Sequence, residues 1–442
     1  MTAPTEVGYA RRLGLFSATM LVIGGIIGSG IFINPAVVAA RVTTPGLTLG
    51  VWAIGAVVAM LGAVVFAELG ARRPRAGGGY AYLREAFGPL AGFLYAWALL
   101  LIMATGAAAA VAMTFAGYAL SLLGWSPEAR QPLAAGAIVA LTLLNIVGVR
   151  PAAWSQNLFT ILKLLAIAAL VVAGLFLVGP GSGAAPAPLP PPTTSWPLLI
   201  GGALVPVLFA FGGWQQTNFV AEELIAPERN LPRALVIGVA AVAAAYLLVN
   251  LAYLRALGVE GLAGSVAPAA DTMAAMAGPM GRTVITAGII ASTFGFLNVV
   301  LLVSPRVYQA MARDGLFFAA FATLHPRWRT PVTAITVQGV WAVLLVYSGT
   351  YGQLLDYVVF ADWIFFGLTA ATLFVLRRRD GGVSPAYRAP WHPWSTLLFI
   401  AAAGWVVAGS IGTNPGNALR GGGLLLLGVP VYLYWQARLR RS

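Results

Sequence analysis

The stretch Gly24-Gly25-Ile26-Ile27-Gly28-Ser29-Gly30-Ile31-Phe32 lies inside an apolar run long enough to cross a bilayer. Glycine costs about 1 kcal/mol per helical position relative to alanine. Glycines and a serine crowded at mid-run, with Pro35 shortly after, predict a helix broken inside the membrane. A second stretch of this kind is Phe209-Ala210-Phe211-Gly212-Gly213-Trp214, with Pro206 one turn earlier. Small residues also allow close packing of transmembrane helices, and Gly421 to Gly423 are read that way. What sets the two stretches apart is that they form a pair.

The rest of the chain supplies the frame. Of 442 residues, 60% are hydrophobic types and 9% are charged, against about 25% charged in an average soluble protein. That excludes an ordinary soluble enzyme and a disordered chain, and predicts an all-α integral membrane protein. Twelve runs read as spans, at 13–40, 46–70, 89–122, 132–149, 154–178, 198–223, 233–256, 281–304, 332–349, 354–376, 393–413 and 421–437. The first run lacks the pattern of a cleaved signal and is expected to stay as a helix. With no Cys and only His325 and His392, no metal centre, cofactor or catalytic residue is expected.

The net charge of +13 would suggest nucleic acid in a soluble protein. Here the arginines sit in short groups between apolar runs, as in Arg72, Arg73 and Arg75 or Arg377, Arg378 and Arg379. That is the pattern of cytoplasmic loops, so no nucleic-acid partner is expected. With the first residue inside, 20 basic residues fall in cytoplasmic segments and 5 in outer loops. The reading is a multi-pass protein of the cell membrane with residues 1–12 and 438–442 cytoplasmic.

Spans one and six each open a set of five, 13–178 and 198–376, joined by an uncharged Pro-rich outer linker at 179–197. Five is odd, so the second set enters from the opposite side and forms an inverted repeat, with 377–437 holding a cytoplasmic loop and spans eleven and twelve. Matched interruptions in two halves point to a transporter's substrate site. The N–H groups of Ser29, Gly30 and Ile31 suit a carboxylate. The carbonyls of Ile26, Ile27, Phe209 and Ala210 suit an ammonium. An α-amino acid satisfies both kinds of helix end.

The basic residues are 25 Arg and one Lys, Lys163, which lies about nine residues into span five, roughly 13 Å deep at 1.5 Å per residue. A charge at that depth marks a pathway or relay more often than a snorkelling side chain. Gln156, Thr160 and Lys163 form a polar stripe at i, i+4 and i+7. Glu68, Glu222 and Glu223 are expected at inner helix ends, paired with arginines. Asp362 reads as a pocket residue, a proton site or a partner for a neighbouring helix.

Several segments resemble the amino acid–polyamine–organocation superfamily: Gly25 to Phe32, Ala67-Glu68-Leu69-Gly70, Arg72 to Gly79, and Tyr82 to Pro89. Phe209 to Trp214, Asn218 to Leu224, Pro227, Arg229 to Pro232, Ser304-Pro305-Arg306 and Pro430-Val431-Tyr432 resemble the L-type amino acid transporter family and its bacterial relatives. The resemblance implies a leucine-transporter-like five-plus-five inverted repeat within twelve transmembrane helices. It also implies sodium-independent alternating access, often as exchange. By this resemblance Ile26, Ser29 and Gly30 match the positions that bind the α-amino and carboxyl groups, with Gly28 counted in the same substrate site, Phe209 is an outer gate, and Gly212 lies in the unwound turn. Ile102, Met103, Gly106, Ala107, Asp362 and Trp363 fall where the side-chain pocket is lined. Gln215 stands where many relatives have Asn, and Asp362 where some relatives are neutral. Lys163 stands where sodium-coupled relatives bind a cation, near Ser292.

The expected function is exchange of small or medium neutral L-amino acids. The alternative is a proton-coupled transporter, or one for cationic amino acids or polyamines, on the same fold. A membrane-embedded enzyme or a sensor has no supporting constellation. The expected partners are the substrate and the bilayer. With no Cys to bridge to a second chain, no obligatory accessory subunit is expected.

Overall fold

In the computed structural model the first apolar run is two helices, α1 (Leu15–Ile26) and α2 (Gly30–Val42), bent by 40° at the break. The structure describes residues 9, 11–177, 196–348, 351–413 and 415–439. Most of the expected linker and the C-terminal Arg440 and Arg441 lie outside the described residues.

Helix α3 (Pro45–Arg72) starts where Thr44 Oγ1 accepts from the Leu47 N–H and Pro45 fills the first helical position. The short α4 (Gly79–Phe87) leads into α5 (Pro89–Ala98), which continues through one wide turn of π-helix at Leu99–Met103 into α6 (Ala104–Leu123). Helices α7 (Arg130–Ile146) and α8 (Val149–Val172) follow. The sixth run is α9 (Trp196–Ala210), a turn, then a 3₁₀ segment Trp214–Glu223. The chain continues through α10 (Pro227–Gly264), α11 (Pro268–Val303), α12 (Pro305–Arg313), α13 (Val332–Ser348), α14 (Tyr351–Arg379), α15 (Trp394–Thr413), α16 (Pro415–Leu426) and α17 (Gly428–Leu439).

Among the described residues ten helices are long and apolar enough to cross a membrane, eleven when the bent pair α1–α2 counts as one span. Helix α13 is apolar but has only 17 residues. The chain is therefore an all-α multi-span membrane protein with a broken first helix.

Helix α10 packs on α3, α1 and α2, α11 on α8 and α6, and α14 on α15 and α6. Helix α8 shows why one side of it faces lipid. Leu158, Ile161, Leu162 and Leu165 are exposed, while Gln156, Thr160, Lys163, Ile167 and Leu170 are buried on the opposite stripe. Every polar group on that stripe must be satisfied internally. Thr160 Oγ1 donates to the Met20 carbonyl at 3.3 Å, Gln156 Nε2 donates to Thr160 Oγ1 at 3.0 Å, and Asn298 Nδ2 donates to Gln156 Oε1 at 3.3 Å. The stripe thereby ties α8 to α1 and α11.

Two prolines inside helices are handled alike. Pro35 has no N–H for the Ile31 carbonyl one turn back, and the Tyr253 hydroxyl donates to it at 3.3 Å. Pro206 likewise releases the Gly202 carbonyl, which accepts from the Arg41 guanidinium. The Pro206 carbonyl itself accepts from Asn34 Nδ2 at 2.7 Å. These bonds fasten α2 to α9 and α10.

Candidate functional site

The two breaks meet. Helix α1 ends at Ile26, and the chain turns through Ile27, Gly28 and Ser29 before α2 starts at Gly30. Helix α9 ends at Ala210, and Gly213 takes a left-handed φ of 105° that a side chain would strain. The glycines of the first break serve a second purpose, because each abuts a different neighbour. A Cβ on Gly25 would stand 2.9 Å from the Gly213 carbonyl oxygen, one on Gly28 3.1 Å from the Phe296 ring, and one on Gly30 2.7 Å from the Ala210 Cβ. Breaking and close packing are thus both at work here.

The carbonyls at the end of α1 are turned in two directions. Ile26 O, together with Ala210 O at the end of α9, lies 3.2 Å from the Tyr246 hydroxyl, which has one proton to share between them. One α10 side chain thus joins both broken ends. Ile27 O points the other way, accepting from Lys163 Nζ at 2.5 Å and from Ser292 Oγ at 3.3 Å. Lys163 Nζ also donates to Gly24 O at 3.2 Å. The helical donor for that carbonyl would have been the Gly28 N–H, but Gly28 N–H bonds Ile26 O at 2.9 Å instead. The buried ammonium therefore caps the C-terminal end of α1. It lies behind the break, between α1, α8 and α11.

On the other side of the break is a small cavity of about 50 Å³. It is lined by the expected Ile26, Gly28, Ser29, Gly30, Met103, Ala107, Phe209, Ala210, Gly212, Gln215, Asp362 and Trp363. Ser29 and Gly30 bring the head of α2 to this wall, where the unpaired first-turn N–H groups of a helix begin. Expected residues that fall outside the wall are Ile27, Ile31, Ile102 and Gly106. The carbonyl of Ile27 faces Lys163 and that of Ile31 faces Tyr253. From this part of the chain the wall takes Leu99 and Met103 of the π-turn and Ala104, Ala107 and Val111 of α6. Thr105 Oγ1 donates to Leu100 O, five residues back, at 2.7 Å.

Two neighbours in the turn behave differently. Gln215 Oε1 accepts from the Gly213 N–H at 3.0 Å and so caps its own turn. Gln216 Oε1 is buried at the cavity without a hydrogen-bond partner. Sequence reasoning passed over Gln216, Phe296, Phe366 and Tyr246. Tyr246 alone carried a signal, as a lone phenol after Ala243-Ala244-Ala245.

The end of the molecule that carries the arginine clusters is closed. The Arg12 and Leu13 N–H groups donate to the Glu223 carbonyl at 2.9 and 3.0 Å, and Ile225 N–H returns a bond to Leu13 O. Arg306, fully buried, pairs with Glu223 at 2.8 Å and stacks 5.8 Å from the Tyr9 ring centre. Glu68 accepts from Arg72, from Arg377 and from the Ala389 N–H. Glu222 reaches Arg313 at 4.0 Å. Just beyond α14, the hydrogen bond from Arg73 above all, joined by that from Arg72, holds the Asp380 carboxyl below its ordinary pKa against the opposing effect of burial.

A family model described as amino acid permease matches residues 13–420. The chain is 33% identical to the Large neutral amino acids transporter small subunit 2 of Mus musculus over 444 residues, covering 97% of this chain and 82% of that protein. It is 32% identical to the Serine/threonine exchanger SteT of Bacillus subtilis, covering 96% and 97%. It is 32% identical to the b(0,+)-type amino acid transporter 1 of Homo sapiens, covering 85% and 77%. The first of these is named a small subunit, one chain of an assembly. That overturns the expectation that no obligatory accessory subunit is needed. The absence of Cys excludes only a covalent bridge, and packed surfaces join subunits without one.

Proposed function

The chain belongs to the amino acid permeases of the amino acid–polyamine–organocation superfamily, and on that premise we propose that it exchanges small or medium neutral L-amino acids across the cell membrane by alternating access. The single observation that carries this reading is the meeting of the two breaks at one cavity. The head of α2 offers N–H groups, while the ends of α1 and α9 bring carbonyls. Such a pair of ends suits a zwitterion and needs no ionised side chain. The names of the relatives support the substrate class: one is a transporter of large neutral amino acids and one a serine/threonine exchanger.

In this reading the α-carboxylate sits on the N–H groups of Ser29, Gly30 and Ile31, and the ammonium is held by the carbonyls near Ile26 and Ala210, with Gln216 Oε1 as a further acceptor. Phe209 gates the outer side. Residues 13–178 and 198–376 form inverted five-helix repeats in a twelve-helix protein, with α13 as a short span and the pair after 377 outside the repeat. The excess of arginine at the closed end supports a cytoplasmic location for both termini. Lys163 supplies the positive charge that a sodium ion gives to sodium-coupled relatives, so no sodium is required.

Counterflow into proteoliposomes tests the proposal. Labelled L-alanine should accumulate only in vesicles preloaded with a neutral amino acid, and equally in sodium and in choline. Uptake that falls more than about tenfold in choline, equal to 1.4 kcal/mol in barrier terms, would remove Lys163 from the cation's place.

A further inference from the structure

The loop between α14 and α15 lies at the arginine-rich end and is fastened at two points. The Ala389 N–H donates to Glu68 Oε2 at 2.7 Å, and the same oxygen accepts from Arg377, near the end of α14, at 2.5 Å. Three residues on, the His392 ring centre lies 4.9 Å from that of Phe374, and His392 Nδ1 shares a hydrogen bond with Thr396 Oγ1 at 3.0 Å. Trp391 stands between these two anchors, yet it is 82% exposed. Its φ of 55° is one that a bulky side chain adopts only at a cost. The loop is thus held in a strained turn that leaves an indole outside the fold.

Trp394 heads α15 and is exposed as well, on one stripe with Leu397, Leu398 and Trp405. On a helix that crosses a membrane such a stripe faces lipid. Helix α14 packs against α15, and Arg378 lies in its last turn. Arg378 and Arg388 are exposed and make no ion pair among the described residues. Each is next in sequence to one of the two groups that share Glu68 Oε2, so the joint at Glu68 brings them to one corner. The charges around them are already matched. Arg377 is taken by Glu68, Arg379 by the Glu85 and Ala86 carbonyls, and Asp380 by Arg72 and Arg73. What remains is two unmatched guanidinium groups and two exposed indoles at the rim of the lipid-facing surface.

We propose that this corner binds an anionic phospholipid of the leaflet at that end. Arg378 and Arg388 hold the phosphate, while the rings of Trp391 and Trp394 lie at the boundary between headgroups and acyl chains, which suits an amphipathic indole. A zwitterionic lipid offers the same phosphate but carries its own ammonium beside it, so it returns less to two unmatched cations. A soluble phosphate matches the arginines and leaves both indoles in water. Charge and exposed indoles together therefore favour the lipid over the free anion.

The test reads tryptophan quenching in the full chain reconstituted in phosphatidylcholine vesicles that contain brominated phosphatidylglycerol or, at the same fraction, brominated phosphatidylcholine. The share of Trp391 and Trp394 is the difference between the unaltered protein and Trp391→Phe/Trp394→Phe, which keeps every other tryptophan. For that share phosphatidylglycerol should be preferred at least about fivefold. Arg378→Gln/Arg388→Gln should bring the preference to within about twofold of unity. Arg327→Gln/Arg329→Gln removes the same charge from the exposed loop before α13 and should keep it. Excess inorganic phosphate, compared at equal ionic strength, should not reduce it. Equal quenching of the unaltered protein by the two brominated lipids overturns the proposal without recourse to any variant, and so does a preference retained in Arg378→Gln/Arg388→Gln. An equal loss in Arg327→Gln/Arg329→Gln would assign the attraction to bulk charge, and a loss to inorganic phosphate would assign the arginines to a soluble anion. Either result overturns the lipid site.

Discussion

Replacing Gly30 with Leu is expected to abolish amino acid binding in a protein that still folds and inserts. A Cβ at this position would meet Ala210 Cβ at 2.7 Å and Ala210 Cα at 2.8 Å, closer than real side chains approach backbone. The head of α2 and the end of α9 must then separate, at an overpacking cost of about 1–3 kcal/mol. That displacement spoils both halves of the site together, since α2 carries the N–H groups and α9 one of the carbonyl ends. The rest of the leucine lies over the N–H groups that would hold a carboxylate. Ser29→Pro should act on the same group by a different route, by removing a backbone donor. Gly136→Ala is the control, because nothing lies within 4 Å of a Cβ there. Isothermal titration of monodisperse protein with L-alanine reads the result. Unchanged affinity in folded Gly30→Leu would refute the assignment of the carboxylate to this helix head.

The second large effect is kinetic. Lys163→Ala should slow exchange at least about tenfold while substrate affinity changes by less than about fivefold. The ammonium is the donor that Gly24 O has in place of its missing helical partner, and the closer of two donors to Ile27 O. An unmet buried carbonyl costs about 1–3 kcal/mol. A cost paid in one conformation and relieved in another shifts the equilibrium between them roughly 5- to 150-fold. None of these contacts touches the cavity, so the binding contacts survive. Lys163→Arg should not restore the rate fully, because a planar guanidinium cannot take the place of a point charge between α1 and α11. Single-turnover exchange and equilibrium binding on the same preparation separate rate from affinity. If both fall in parallel, Lys163 belongs to the substrate site and the account of it is wrong.

The positions of the helices were readable because hydropathy runs report lipid-facing and core-facing apolar surface alike. The break sites were readable because glycine clusters carry a helix cost that shows in the sequence. The stripe Gln156, Thr160 and Lys163 was readable because three polar residues on one face of an apolar helix have no lipid-side explanation. Other features left no such trace. The π-turn at Leu99–Met103 consists of ordinary apolar residues and leaves no trace in the sequence, and Ile102 and Gly106 lie off the wall. The segment after Gly213 is 3₁₀ rather than α, which aims Gln215 back at its own turn and leaves Gln216 at the cavity. Tyr246 is distant in sequence from both carbonyls it joins, so only the fold brings them together. The expectation that no accessory subunit is needed fails because a missing Cys says nothing about non-covalent association.

The central claim is that one cavity at two helix breaks holds both charged ends of an α-amino acid. Its most direct test is calorimetric titration of the purified protein with L-alanine, with L-alaninamide, which lacks the carboxylate, and with L-lactate, which lacks the ammonium. The account predicts measurable binding of L-alanine and a loss of at least about a hundredfold for each analogue, because each leaves buried donors or acceptors unpaired. Binding of L-alaninamide or L-lactate within about tenfold of L-alanine would mean that the broken ends do not read the charges of the substrate, and would contradict the account.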